Sequence, residues 1–380
     1  MKTNLKKLLY SGVTLMSLGV LAACSTASSS TTTSSSVATS QTSVATSSSS
    51  TSSSSSSSSI DWSALPTTEV TLSNDGLKIT EGGTYILTGS TTAGVTVETD
   101  ANVRIILAGA DISSSDTAAI NVIKADNVEL EIKDGTSNTV KDTSNHSDTN
   151  IEGTIHVEAD LFITGNGKLT VEGNFQDGIV STDDLVVNSS NITVTAVDDG
   201  VRGKDSLTIN GGTIDVTAGG DGIKSTNDTD TTKGYTRITG GDITVKAGDD
   251  AIKAETALTI DGGAITVPES LEALEGTNIT INGGTLDVYG SDDAINAAST
   301  TSTDIFIKVT GGDLKVAVGS GDTDAFDANG DIYISGGTID VTAPTSAFDF
   351  DGTAELTGGT VRVNGEQINQ IVATGPGARW

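Results

Sequence analysis

The sequence has little of several residue classes on which many folds and sites depend. Cys24 is the only cysteine in 380 residues, so no disulfide can form within the chain. The only histidines are His146 and His156, which disfavours a transition-metal site built on imidazole and thiolate ligands. Aromatic residues make up 3% of the chain, which leaves few rings for stacking on flat sugar surfaces.

Basic residues are also scarce, with 20 Lys and Arg against 50 Asp and Glu. Loss of residues 1–23 would leave 17 basic and 50 acidic residues, a net charge of −33. Such a charge argues against nucleic acid and against electrostatic docking on anionic lipid, because both partners require a positive surface. It favours a partner that is cationic or that arrives with cations.

Residues 1–23 predict a lipoprotein signal peptide. They have a basic start and a mostly apolar run, 8–23, too short to be a confident membrane-spanning helix. The run leads into Leu21-Ala-Ala-Cys24, which resembles a bacterial lipobox. We therefore predict that Cys24 is lipidated and holds the chain on the extracellular face of the bacterial cell membrane.

A disordered tether is predicted to follow the lipidated cysteine over residues 24–59. Ser and Thr account for 29 of the 35 residues in 25–59, and the segment carries no charge. Such a tract buries too little apolar surface to offset the entropy lost on ordering. Residues 60–380 are then predicted to form one folded domain.

Two ladders of turn residues recur along the folded part. The first is a Gly-Gly corner with intervals of 29, 22, 21, 28, 25 and 22 residues, at Gly211, Gly240, Gly262, Gly283, Gly311, Gly336 and Gly358. The second is an acidic corner at Asp177, Asp199, Asp221, Asp250, Glu272, Asp293 and Asp324. A shared period near 22, interrupted by insertions, indicates one coil of backbone wound repeatedly.

Short strands with period-2 alternation connect these corners. In one coil Ile252, Leu258, Ile260, Ile265 and Val267 fall on one face, whereas Lys253 falls on the other. The sequence therefore predicts an all-β, right-handed parallel β-helix of about 22 residues per coil. The insertions 226–235 and 298–306 follow equivalent strands and should emerge on the same side, where such loops often shape a binding face.

The acidic corners are candidate calcium ligands. Carboxylates stacked about 5 Å apart repel by roughly 3 kcal/mol at an effective dielectric near 20, so something positive is expected between them. Calcium takes six to eight oxygen ligands, which corners rich in Asp supply. The predicted ligands are Asp198, Asp199, Asp221, Asp249, Asp250, Asp292 and Asp293. The competing interpretation is that Asp is simply a good turn residue.

Arg202, Lys224 and Lys253 each stand three residues after an acidic corner in successive coils. They are candidate carbohydrate-binding residues, and they also offer a second way to neutralise the acids. One of them could alternatively act as the base of a calcium-dependent lyase on polyuronate. No second feature of the sequence singles out one of the three.

Several motifs, taken in order, resemble a bacterial surface family described as carbohydrate-binding and related in shape to family 9 polysaccharide lyases. They are Gly83-Thr-Tyr-Ile-Leu-Thr-Gly89, Asp134-Gly-Thr-Ser-Asn-Thr139, Gly173-Asn-Phe-Gln-Asp-Gly-Ile179, Asp198-Asp-Gly-Val-Arg-Gly203, Gly220-Asp-Gly-Ile-Lys-Ser225, Leu274-Glu-Gly276 and Asp292-Asp-Ala-Ile-Asn296. The resemblance implies a right-handed parallel β-helix, calcium on the aspartate corners, and binding of cellulosic or acidic plant polysaccharide without established catalysis.

Three functions follow as expectations. The first is a lipid-anchored surface protein that binds polysaccharide with calcium on stacked Asp corners. The second is the polyuronate lyase, and the third is a surface adhesin that binds protein. The low aromatic content favours acidic sugar bridged through calcium over flat stacking on cellulose.

Overall fold

A computed structural model describes residues 60–321 and 323–374. The predicted signal peptide, Cys24 and the tether lie outside the described residues. All described residues belong to one compact unit, 59–380. Within the described residues no helix is long and apolar enough to span a membrane.

The described chain is all-β apart from one 3₁₀ turn, Trp62–Ala64. Its strands are, in order, β1 Thr67–Leu72, β2 Leu77–Ile79, β3 Gly83–Thr91, β4 Val95–Glu98, β5 Val103–Ser113, β6 Ile120–Lys124, β7 Asn127–Ile132, β8 Ser137–Lys141, β9 Gly153–Val157, β10 Asp160–Thr164, β11 Lys168–Gly173, β12 Asp177–Ser181, β13 Asp184–Val187, β14 Asn191–Ala196, β15 Val201–Gly203, β16 Ser206–Ile209 and β17 Thr213–Ala218. They continue with β18 Ile223–Ser225, β19 Tyr235–Ile238, β20 Asp242–Ala247, β21 Ile252–Ile260, β22 Ala264–Glu269, β23 Leu274–Ile281, β24 Thr285–Gly290, β25 Ile295–Ala297, β26 Phe306–Val309, β27 Asp313–Val318, β28 Asp324–Ala328, β29 Asp331–Ile334, β30 Thr338–Thr342, β31 Ser346–Phe350, β32 Ala354–Leu356, β33 Thr360–Val363 and β34 Glu366–Ile368.

The strands pair in parallel into three stacks, and the chain visits each stack in turn. The first stack holds β12, β15, β18, the start of β21, the start of β23, β25, β28 and β31. The second holds β13, β16, β19 and the end of β21; the third holds β14, β17, β20 and β22. This mostly parallel arrangement is consistent with a β-helix or solenoid, as the sequence predicts.

Register within the stacks follows the repeat seen in the sequence. In the first stack Ile179 pairs with Val201, and Val201 with Ile223. In the third stack Val194 pairs with Val216, and Val216 with Val245. Equivalent aliphatic side chains of successive coils therefore lie directly above one another, and all six are at most 4% exposed.

The core is the inward face of these stacks. The alternating face predicted around β21 and β22 is confirmed, because Ile252, Leu258 and Ile260 are 0% exposed, and Ile265 and Val267 are 1% exposed. Apolar burial stabilises the coil by roughly 25 cal/mol per Å² of area removed from water.

Glycine is required at the corners for two different reasons. The second glycine of every Gly-Gly corner has a positive φ, such as +104° at Gly212 and +79° at Gly359, which side chains rarely tolerate. At Gly200 the constraint is space. A Cβ there would lie 2.3 Å from Val216 Cγ1 and 2.5 Å from the carbonyl oxygen of Gly222 in the next coil.

Truncation inside a stack should be costly. Ile223→Ala leaves a cavity between Val201 and Ile252, and we expect it to lower the free energy of unfolding by about 2–5 kcal/mol. The control is Val197→Ala, whose side chain is 61% exposed and which should change stability by less than about 0.5 kcal/mol. Urea denaturation of both variants measures this. Equal stability of the two variants would contradict the core assignment.

Candidate functional site

The acidic corners form a ladder along the first stack. The backbone N–H of Asp199 donates to Asp177 Oδ1 (3.1 Å), that of Asp221 to Asp199 Oδ1 (2.9 Å), and that of Asp250 to Asp221 Oδ1 (2.9 Å). The four residues are 3–6% exposed. One oxygen of each of the first three carboxylates thus ties its coil to the next. This structural role joins successive coils and differs from a local turn preference.

The other oxygens of these carboxylates contact Arg202, Lys224 and Lys253. Arg202 pairs with Asp177 Oδ2 at 2.8 Å and also with Glu152. Lys224 lies between Asp199 Oδ2 (2.5 Å) and Asp221 Oδ2 (2.9 Å).

Lys253 repeats the arrangement one coil further on, between Asp250 Oδ2 (2.7 Å) and Glu275. Burial alone would lower the pKa of Lys253, but its hydrogen bonds to the two carboxylates outweigh burial and raise the pKa above its usual range. Lys253 is therefore held as an ammonium. Burial raises the pKa of Asp250, and the neighbouring Glu275 raises it further.

The row of side chains that pair in register with Lys253 changes from basic to acidic or amide after it. In register, Arg202 is followed by Lys224 and Lys253, and then by Glu275. The next three positions along the same row are Asn296, Asp327 and Asp349. From Glu275 onward the row therefore offers acidic or amide side chains to the neighbouring acids instead of cations.

Beyond this change the charges that act on buried acids are mainly those of other carboxylates. Burial raises the pKa of Glu272 to about 7, and the charge of Asp250 adds to the rise. Burial raises the pKa of Asp327 to about 7 as well, reinforced by the charges of Asp293 and Asp324. Acids that resist ionisation in this way are candidates for cation binding, since a bound cation would favour their charged form.

Two groups of three carboxylates within the described residues have oxygens close enough to hold one metal ion. They are Asp221, Asp249 and Asp250, and Asp250, Glu272 and Glu275, with the oxygens in each group within 4.8 Å of one another. All donors are carboxylate oxygens, which suit a hard cation such as calcium.

Asn296 contacts a member of the second group. Asn296 Nδ2 donates to Glu272 Oε1 at 3.0 Å, while Asn296 Oδ1 is buried without a hydrogen-bond partner. A cation would give a buried oxygen of this kind a partner. The residues present therefore fit calcium at the second group.

The structure brings together three of the seven predicted metal ligands, Asp221, Asp249 and Asp250. It does not join the remaining four to either group: Asp198, Asp199, Asp292 and Asp293. Sequence reasoning did not include Glu272 and Glu275 among the ligands. The sequence did contain evidence for both residues. Glu272 occupies the acidic ladder, and Glu275 follows it by three residues, as Lys253 follows Asp250.

A groove lies beside the second carboxylate group. Its floor comes from β21 and β23, and its walls come from residues 228–232 and 298–304, which belong to the two insertions. The insertions follow β18 and β25, which are both strands of the first stack. The groove has a volume of about 1210 Å³, and both Lys253 and Glu275 line it. Arg202 and Lys224 are not among its lining residues.

The groove carries one exposed aromatic ring and an excess of acid. Tyr235 is 38% exposed at its edge, and Arg237 pairs with Asp261 at 2.7 Å on its lining. The carboxylates that line it are Asp228, Asp230, Glu255, Asp261, Glu275 and Asp304, against two cations. Its unaided field therefore favours cations over anions.

Neither histidine joins these groups. His146 is buried, with its Nε2 3.0 Å from Asp142 Oδ2 and its ring stacked on Phe175 at 4.2 Å. Burial lowers the pKa of His156 to about 4, and Arg202 lowers it further. Both residues are components of the packed coil.

Comparison with known proteins identifies the family of the chain. A family model described as carbohydrate-binding domain-containing protein matches residues 73–325. The chain therefore belongs to this carbohydrate-binding family, which is related to polysaccharide lyases.

One known protein and one solved structure are similar to the chain. A carbohydrate-binding domain-containing protein from Acetivibrio thermocellus is 33% identical over 135 residues, 33% of this chain and 47% of the relative. The match thus spans about half of that relative. A solved structure described as a polysaccharide lyase-like protein from C. thermocellum, gadolinium derivative, is 32% identical, with a TM-score of 0.51. The alignment covers 53% of this chain and 90% of that one.

The buried acid Asp177 should make stability depend on pH. Burial raises its pKa from 3.8 to about 6, with Arg202 opposing and Asp199 adding to the rise. Between these two values the folded state binds more protons than the unfolded state, so this group lowers stability as pH rises through the interval. Asp177→Asn removes the titration. The stability difference, variant minus wild type, should therefore grow by roughly 2–3 kcal/mol from pH 4 to pH 7.5.

Chemical denaturation across that pH range, in chelator, gives this difference. The control is Asp215→Asn, which removes an exposed carboxylate from β17, and its pH profile is subtracted. A flat difference after subtraction would show that Asp177 titrates as an ordinary carboxyl.

Proposed function

We propose that this chain binds polysaccharide in the groove between the insertions 226–235 and 298–306. We further propose that calcium is held at the edge of the groove by Asp250, Glu272 and Glu275. One observation carries the proposal: Glu275 belongs both to the carboxylate group and to the groove lining. A bound cation would therefore face a ligand in the groove.

The charge of the groove determines the role of the cation. Six carboxylates against two cations would repel a uronic-acid polymer. Calcium would supply the positive charge that joins the carboxylate of an acidic sugar to those of the protein. The acidic plant-type glycan is therefore proposed to bind only with calcium, whereas a cellulosic glycan would rely on Tyr235 and the polar side chains of the walls.

At the corners of earlier coils, protein cations already neutralise part of the acidic ladder. There the carboxylates of Asp177, Asp199 and Asp221 already contact Arg202 or Lys224. These cations do not line the groove, so we propose that they neutralise the ladder, and that Lys253 alone of the three serves the carbohydrate.

We propose binding without cleavage. A lyase base must lose its proton near the working pH. In the structure the pKa of Lys253 is instead raised by Asp250 and Glu275, and an ammonium paired with a glycan carboxylate would also keep its proton. Incubation of the protein with polygalacturonate and calcium should therefore yield no unsaturated uronide ends, and their formation would restore the lyase alternative.

For the whole chain, we propose a right-handed parallel β-helix of about 22 residues per coil. A lipid on Cys24 and the Ser/Thr tether would hold this domain outside the bacterial cell membrane. Metabolic labelling with a fatty-acid analogue, lost in Cys24→Ala, tests the anchor without reference to the groove.

The groove is tested by calorimetry with oligogalacturonate, in calcium and after chelation. We expect heat of binding only with calcium. Tyr235→Ala should weaken the affinity by about tenfold, a loss within the range seen for interface tyrosines. The control is Tyr333→Ala, because Tyr333 projects from β29 outside the groove and should leave the affinity unchanged. Absence of heat with oligogalacturonate and with cello-oligosaccharide would overturn the carbohydrate proposal and favour a protein-binding adhesin.

A further inference from the structure

Lys253 is part of two features, the second carboxylate group that it contacts and the groove that it lines. Its Nζ contacts Asp250 Oδ2 at 2.7 Å and also Glu275, two members of the proposed calcium group. Its side chain also lines the groove and is 25% exposed. An ammonium therefore neutralises the carboxylates that the calcium proposal assigns to a divalent ion.

The ammonium and a divalent cation compete for the same oxygens. A lone pair that coordinates a cation cannot also accept a hydrogen bond from Nζ, and the two positive charges repel. Lysine carries its charge on a flexible four-carbon stem, so Nζ can move while Cα stays fixed in β21. The groove is open to it, because Lys253 lines the groove and its side chain is 25% exposed.

We infer that a divalent cation on Asp250, Glu272 and Glu275 displaces the Lys253 ammonium into the groove, where it pairs with the carboxylate of an acidic glycan. This inference rests on the proposed function and adds the residue that couples its two ligands. The same displacement explains how a groove rich in acid becomes able to accept an anion. By linkage, the glycan must raise the affinity for calcium by the same factor as calcium raises the affinity for the glycan.

Lys224 provides a matched comparison. It pairs in register with Lys253 one coil earlier and lies between Asp199 and Asp221 in the same way. Its side chain is 19% exposed, close to the value for Lys253, but it does not line the groove. A response that depends on the groove should therefore appear at Lys253 and not at Lys224.

The direct test is the rate of lysine acylation in the full-length protein, followed by peptide mass spectrometry. Calcium chloride should raise the rate at Lys253 severalfold, because its ammonium leaves the two carboxylates, and should leave Lys224 unchanged. Addition of oligogalacturonate with calcium should lower the Lys253 rate again. Sodium chloride at the same ionic strength separates the effect of a bound divalent cation from salt screening.

The coupling test is calorimetry of calcium and oligogalacturonate binding, each alone and in the presence of the other. In wild type we expect a coupling factor of about tenfold, within the usual range of roughly 5–150-fold for linked sites. Lys253→Met keeps the length of the side chain and removes its charge. It should bind calcium more tightly in the absence of glycan and show a smaller coupling factor, whereas Lys224→Met should keep the wild-type factor.

The outcomes separate the inference from the proposed function. Calcium binding with unchanged Lys253 acylation, or an undiminished coupling factor in Lys253→Met, would overturn the role of Lys253 and leave the calcium site in place. Absence of calcium binding to wild type would overturn both. Equal responses of Lys253 and Lys224 would assign the effect to general electrostatics and refute the specific role.

Discussion

Stacking of equivalent positions about 4.8 Å apart is the constraint on which the rest of the molecule depends. In a parallel stack the neighbour of each residue is the residue at the same position of the next coil. Aliphatic residues gain from this arrangement, as in the column of Val194, Val216 and Val245. An ionisable residue is penalised by it, since a repeated acid becomes a line of like charges.

The carboxylates of the acidic ladder have two different environments along the chain. In the coils up to Asp250, carboxylates such as those of Asp199 and Asp221 accept a backbone N–H on one oxygen and contact a protein cation with the other. Beyond Lys253 the row of cations ends, and Glu272 and Asp327 have raised pKa values as a result of burial beside other acids. The groove lies at this transition, where the proposed external cation would continue the neutralisation.

Much of the fold could be predicted because it is periodic. The Gly-Gly corners marked the required positive φ values, and the alternation around Ile252 marked the buried face. Both signals repeat, so each coil corroborates the others. The candidate site was harder to predict because it is the place where the repeat changes. Glu275 occupies the position of a lysine in the coil before it, and a search for repeated Asp pairs passes over such a residue. The groove depends on the conformations of two insertions, which have no repeat to define them.

The C-terminal end of the stacks has a consequence for association. β33 is followed by β34, which pairs with it in antiparallel orientation, and Thr374 Oγ1 accepts the N–H of Ala347 at 3.0 Å. An open parallel edge would be a template for the first coil of another copy. A reversed strand presents the wrong polarity for such an addition. In the third stack this end therefore has the features of a terminating cap, which disfavours the addition of another copy in parallel register.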